Sequence, residues 1–236
     1  MTGRRRFIEY LFAVWLAGVL IAAAFWLGIV PQRFSPFAPL DLSEPAPWFL
    51  DLRLAALKSE KTLCQAVLKE PFIAASHVPD QPYENGCGWR NAVRLSQVGG
   101  AHLSAGQLSC PMAAALAMWI THEVQPAAEA TFGAKVVAIR HMGTYACRNI
   151  VGSRTLKPFR SQHATANAID ISGFILADGR KISVLNHWNG EGANTRFLKS
   201  IKEASCRYFR VSIGPDFNDA HANHFHFDRG AFKSCR

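Results

Sequence analysis

No C-x-x-C pair occurs among the cysteines, so the thiolate spacing of a structural zinc site is missing. Acidic residues are scarce, 17 against 26 basic ones, and the formal net charge is +9. That balance suits an anionic partner such as a polymer or a membrane surface, and it sets encounter rate more than specificity. Internal repeats are absent, which removes solenoid and array architectures. No nucleic-acid-binding module is recognisable, and nucleic acid is not expected as a partner. Charge is missing altogether from Leu11 to Val30, a run of 20 residues.

That run is long enough to cross a bilayer as a helix. The apolar stretch begins at Phe7 and is broken only by Glu9, and Arg4, Arg5 and Arg6 stand directly before it. The positive-inside rule therefore puts the N-terminus in the cytoplasm and the remainder across the membrane. Ala22, Ala23 and Ala24 look like a signal-peptidase site, but the apolar stretch continues through Phe25, Trp26 and Leu27. An uncleaved single-pass anchor is expected over residues 1–30, with residues 7–30 in the membrane. Five prolines lie between Pro31 and Pro47, and residues 31–47 read as a stiff linker holding one domain, residues 48–236, off the membrane.

The part beyond the anchor keeps 23 basic and 16 acidic residues. Its six cysteines, Cys64, Cys87, Cys110, Cys147, Cys206 and Cys235, suit three disulfides in an oxidising compartment, each stabilising by roughly 2–4 kcal/mol. Sequence alone leaves their connectivity open. If the helix after Cys110 runs antiparallel to the strand before Cys147, those two can meet, leaving Cys64 with Cys87 and Cys206 with Cys235.

Cys110–Val124 is the clearest helix, with Pro111 early, where its missing donor is harmless, and a run of alanine and long apolar residues behind it. Its Met112, Met118 and Trp119 read as packing residues. Further helices are expected near residues 48–58, over 58–69 and over 195–204. Strands are expected over 92–95, 135–140, 207–211 and 223–228, with a hairpin from 171–176 to 180–184 about Asp178-Gly179. The expected class is α+β, a small antiparallel sheet with helices packed on one face, preceded by one transmembrane helix.

Two segments carry the chemistry: Ser161-Gln-His163-Ala-Thr-Ala-Asn-Ala-Ile-Asp170 and His221-Ala-Asn-His224-Phe-His226. A catalytic zinc takes three ligands of the His/Asp/Glu type and leaves one position open, a demand met by His163, Asp170 and a member of the His224/His226 pair. In a strand, His224 and His226 share a face. On a helix, His163 and Asp170 would stand roughly 10 Å apart, so that segment reads as a loop entering a strand at Ala168-Ile-Asp-Ile171. His77, His102, His122, His141 and His187 stand alone and read as surface or core residues.

The pattern Ser161, His163, Ala166, Ala168, Asp170, then His224 and His226, resembles the S-x-H-x-x-G-x-A-x-D and H-x-H signature of lysostaphin-type peptidases, D-Ala-D-Ala carboxypeptidases and hedgehog domains. The H-x-x-H-x-H spacing is similar to that of penicillin-insensitive murein endopeptidases. More closely, the run from Cys110-Pro-Met-Ala through Thr144-Tyr-Ala-Cys-Arg148, Gly152-Ser-Arg154 and Ser161 to Gly173-Phe174, ending in His224-Phe-His226-Phe-Asp228, resembles the bacterial extensin-like C-terminal domain family. That family name by itself establishes no activity.

The resemblance implies Zn2+ held by His163, Asp170 and His226, with proton work at His224 or His221 and Arg148 facing the scissile carbonyl. It implies a peptidase in the periplasm, anchored in the inner membrane, acting on peptidoglycan or its stem peptides through metal-activated water. Two departures stand out. Ala166 replaces glycine, which is tolerable if φ there stays negative. Asn223 occupies the place of the carboxypeptidases' glutamate base. The second expectation is therefore a non-catalytic, zinc-containing wall-binding or scaffold module.

Overall fold

The computed structural model describes residues 2–36, 38–152 and 155–236. Its first element, α1 (Thr2–Trp26), is long and apolar enough to cross a membrane and none of its apolar window is buried, as suits an anchor or a signal sequence. After it come α2 (Leu50–Ala56), α3 (Lys61–Val67), β1 (Ile73–His77), and the small hairpin β2 (Gln81–Glu84) and β3 (Cys87–Trp89). The centre of the chain supplies β4 (Ala92–Val98), β5 (Ala101–Ser109), α4 (Cys110–Trp119), α5 (Gln125–Phe132) and β6 (Val136–Gly143). The last part gives β7 (Ala168–Leu176), β8 (Lys181–Ser183), α6 (Val184–His187), α7 (Ala193–Ser205), β9 (Val211–Ile213), β10 (Phe225–Asp228) and β11 (Ser234–Cys235).

Nine strands form one sheet in the order β1-β4-β5-β6-β7-β10-β9-β11, with β8 beside β7. All pairs are antiparallel except β5 with β6 and β9 with β11. The class is α+β as expected, but the sheet is larger. β5 escaped sequence reading because alanine, glycine and serine are poor strand formers, although Ala101, Leu103 and Ala105 alternate inward as a strand requires. The strand expected over 207–211 starts only at Val211, since Tyr208 and Phe209 bond back to the Ser205 carbonyl and prolong the end of α7.

α4 runs on into α5 through one widened turn, where the Gln125 amide reaches the Ile120 carbonyl. The next residue, Pro126, has no amide to close an ordinary turn. Trp119 anchors the core: its ring lies 5.0 Å from Phe227 and 6.0 Å from Phe209, and its Nε1 donates to the Ile201 carbonyl at 2.9 Å. Alternation then decides the rest. Ile169, Ile171, Phe225 and Phe227 are fully buried in this core, so Asp170 and His226, between them in sequence, must face the opposite side of the sheet.

The disulfides correct two of the three expected pairs. Cys64 joins Cys110, Cys87 joins Cys147, and Cys206 joins Cys235, with Cα separations of 6.0, 5.5 and 5.8 Å. Cys110 opens α4 inside the main core, where α3 crosses and delivers Cys64. Cys147 lies on the other side, near the contact between Trp89 of β3 and Tyr145, whose rings are 4.9 Å apart. The start of α4 and the chain beyond β6 are thus kept apart. Closing loops of 46 and 60 residues stabilises the fold by about 4 kcal/mol each on the chain-entropy estimate.

The proline-rich segment also departs from expectation, because it lies on the domain instead of standing free. Leu40 and Leu42 are buried in the main core. The guanidinium of Arg53, itself buried, donates to the carbonyls of Gln32, Ser35 and Pro39. His122 Nε2 meets the Leu42 carbonyl at 2.9 Å. Prolines withhold amides but leave carbonyls exposed, and one arginine collects three of them. Arg53→Ala should lower stability by about 2–4 kcal/mol and open residues 32–48 to limited proteolysis. An unchanged cleavage pattern would show that the segment is held by something else.

Candidate metal centre

Ser161 begins the site by capping a short turn, Gln162–Thr165, with its side chain accepting from the His163 amide at 3.3 Å. Asn167 fixes the turn's far end, donating to Gln162 Oε1 at 2.9 Å and accepting from Ser109 Oγ at 2.8 Å. Between them Ala166 is fully buried at φ 52°, the left-handed region, so the negative φ expected there does not occur. A left-handed alanine costs about 1–2 kcal/mol. Packing of its methyl with Val78, Trp89 and Ala92 offsets part of that. The reversal folds His163 back over β7, alongside Asp170, as the loop-then-strand reading requires.

Asp170 and His226 face each other directly across the β7/β10 pair. His226 Nδ1 lies 2.8 Å from Asp170 Oδ1, His163 Nε2 lies 3.2 Å from Asp170 Oδ2, and the two ring nitrogens are 3.2 Å apart. Among the described residues these three form a group able to hold a metal ion, with ligand atoms within 4.8 Å of one another. Tetrahedral bonds of roughly 2.0–2.1 Å imply ligand separations of about 3.3 Å, so the spacing fits.

The outer nitrogens support the same assignment. His163 Nδ1 points to the Thr144 carbonyl at 3.3 Å and His226 Nε2 to Asp228 Oδ2 at 3.2 Å. Each ring therefore spends one nitrogen on an acceptor and turns the other inward, Nε2 from His163 and Nδ1 from His226.

Charge reinforces the geometry. Burial would raise the Asp170 carboxyl, but hydrogen bonds and charge from His163 and His226 outweigh it and hold it well below the usual range. Burial would lower His226, yet its bonds to Asp170 and Asp228 push it up to about 9. Burial pulls His224 down, and it pulls His221 down to about 4, helped there by the charges of His226 and His224.

His224 and His221 complete the cluster. The His224 Nδ1 donates to Asn223 Oδ1 at 2.7 Å, leaving Nε2 turned inward, 3.6 Å from Asp170 Oδ1. The His221 Nδ1 donates to Asn218 Oδ1 at 2.6 Å, and its ring is 5.2 Å from that of His224 and 5.9 Å from that of His226. Half-buried Arg148 donates to the Asn149 carbonyl at 3.4 Å, and its charge reaches His221 and His224. Sequence reasoning missed Asp228, Asn218 and the Thr144 carbonyl. Only Asp228 left a signal, two residues beyond His226 on one strand face.

Ser153 and Arg154, part of the resemblance, lie outside the described residues. His122, His141 and His187 contact the backbone of Leu42, Ser104 and Ser183. A separate cleft of about 1360 Å3 touches Gln162, Thr165 and Asn167 but none of the five clustered residues, and three of its basic side chains, Lys61, Arg210 and Arg229, are already paired with Asp80 or Asp51.

A family model of the extensin-like protein C-terminus matches residues 62–236. No curated protein and no solved structure shows a match.

Two outcomes follow from the geometry. Ala166→Gly should keep divalent-metal binding, whereas Ala166→Val, β-branched at positive φ, should lose it; equal binding by both would contradict the role given to this turn. Metal loading must also displace the proton that metal-free His226 holds up to about pH 9. Affinity should therefore climb by about tenfold per pH unit from pH 6 to 8, with close to one proton released per ion by calorimetry in two buffers. Zero proton release would show that His226 Nδ1 is not a ligand.

Proposed function

The chain belongs to the extensin-like C-terminal family through residues 62–236, and on that footing we propose that it is a membrane-anchored, zinc-dependent peptidase cleaving amide bonds in peptidoglycan cross-links or stem peptides. The reading takes the family as a branch of the lysostaphin, D-Ala-D-Ala carboxypeptidase and hedgehog superfamily, with α1 as an uncleaved inner-membrane anchor, its N-terminus cytoplasmic, and the domain in the periplasm. Three disulfides agree with an oxidising compartment. The observation that carries the proposal is the meeting of His163, Asp170 and His226 at bonding distance, with two further imidazoles beside them.

Zinc held by these three residues supplies Lewis acidity toward a carbonyl and lowers the pKa of water. The protein's own groups do the rest. His224, neutral and pinned through Nδ1 by Asn223, offers Nε2 to take a proton from water and return it to the departing amine. His221, pinned by Asn218, is a second acceptor of the same kind. Arg148 supplies the positive charge that an oxyanion needs. Asp228 keeps the His226 ring in register.

Asn223 favours a second reading. Where superfamily carboxypeptidases carry a glutamate, this amide only orients His224, so a module that keeps zinc for stability and binds wall polymer without cutting it is the alternative. The full chain, loaded with zinc and incubated with muropeptides, should release new amino termini. His226→Ala should abolish release together with zinc, while His224→Gln should keep zinc and lose about 10²–10⁴-fold in rate. One zinc per chain with no cleavage of any wall substrate would overturn the peptidase in favour of the binding module.

A further inference from the structure

The docked linker leaves almost no slack between α1 and the domain. Past the end of α1 the chain still folds back on it: the amides of Leu27 and Ile29 reach the carbonyls of Ala23 and Ala24, and the Val30 amide also reaches Ala24. Two residues later, the Gln32 carbonyl is already held by Arg53. Of the five residues between Trp26 and Gln32, four bond back to the helix through their amides, and the fifth, Pro31, has its φ restricted by its ring. The Trp48 amide reaches the Arg33 carbonyl at 3.4 Å, and the Trp48 and Phe34 rings meet edge to face at 5.2 Å. The start of α2 is therefore tied to the first residues after the span.

Beyond the Phe34 contact, that region carries an apolar face that stays exposed among the described residues. Trp48 is 79% exposed, Phe49 42% and Leu52 52%. Leu52 and exposed Ala56 lie four residues apart on one side of α2, with Trp48 and Phe49 immediately before its start, while Asp51 is turned to Arg210 and Arg229. Exposed Arg33, its guanidinium 4.7 Å above the Phe34 ring, adds a positive charge beside the patch. Tryptophan with neighbouring apolar residues and a cation is the composition of a membrane-interface contact.

We propose that Trp48, Phe49 and Leu52 rest in the interfacial layer of the membrane that α1 crosses, so that the domain lies on the bilayer in one orientation. The inference rests on reading α1 as a retained span, and it replaces a domain hanging from a tether with one seated on lipid. A centre held close to the bilayer would meet wall polymer at the membrane surface instead of throughout the surrounding space.

All six cysteines are in disulfides, so a single introduced cysteine takes a spin label selectively. The full chain in bilayer nanodiscs containing anionic lipid would be labelled singly at Val14→Cys, Trp48→Cys, Leu52→Cys and, as an exposed control on α6, Leu185→Cys. Accessibility to oxygen against a water-soluble nickel chelate then reads depth. The proposal requires a deep signal at 14 and a several-fold higher oxygen-to-chelate ratio at 48 and 52 than at 185. A deep 14 with 48 and 52 as wet as 185 would overturn the seating while leaving the anchor intact. An aqueous 14 would overturn both. Spin–spin broadening at 48 would also overturn it, by showing a second copy of the chain on the patch.

Discussion

The centre depends on one register: His226 of β10 stands directly opposite Asp170 of β7. A one-residue slip would turn Phe225 or Phe227 outward and bury the imidazole in the core. The same alternation that packs Phe225, Phe227, Ile169 and Ile171 against the helices therefore aims His224, His226, Asp228 and Asp170 at the other face. Core packing and site geometry are a single constraint read from two sides of the sheet. A third candidate ligand, His163, joins because the left-handed turn at Ala166 folds its segment back over β7.

Around that pair, partners are distributed so that each imidazole has one committed nitrogen and one facing inward. Thr144, Asp228, Asn223 and Asn218 supply the acceptors for His163, His226, His224 and His221. Burial then separates the rings by charge. His226, between two carboxylates, is favoured as a cation when metal-free, whereas His221 and His224 are held neutral. This division suits a metal ligand beside two proton acceptors.

Much of this was legible in the sequence. His163, Asp170, His224 and His226 could be assigned to one site because i, i+2 spacing fixes a strand face and because a helix would have separated the first two. The α+β class and the long helix after Cys110 were equally readable. β5 was not, since its alanines, glycine and serines carry little strand propensity and its burial comes from neighbours distant in sequence. Disulfide partners were misread because pairing depends on which side of the sheet a cysteine lies, information held in the tertiary fold. The docked linker was hidden for a similar reason: prolines advertise an extended chain, while the arginine that binds its carbonyls comes later.

The most direct test of the cross-strand centre is nitrogen-15 NMR of histidine-labelled, zinc-loaded protein, assigned with single His variants. The account predicts that His163 binds through Nε2 and keeps its proton on Nδ1, while His226 binds through Nδ1 and keeps its proton on Nε2, toward Asp228. Coordination of both rings through the same nitrogen, or zinc that leaves either ring unperturbed, would contradict it.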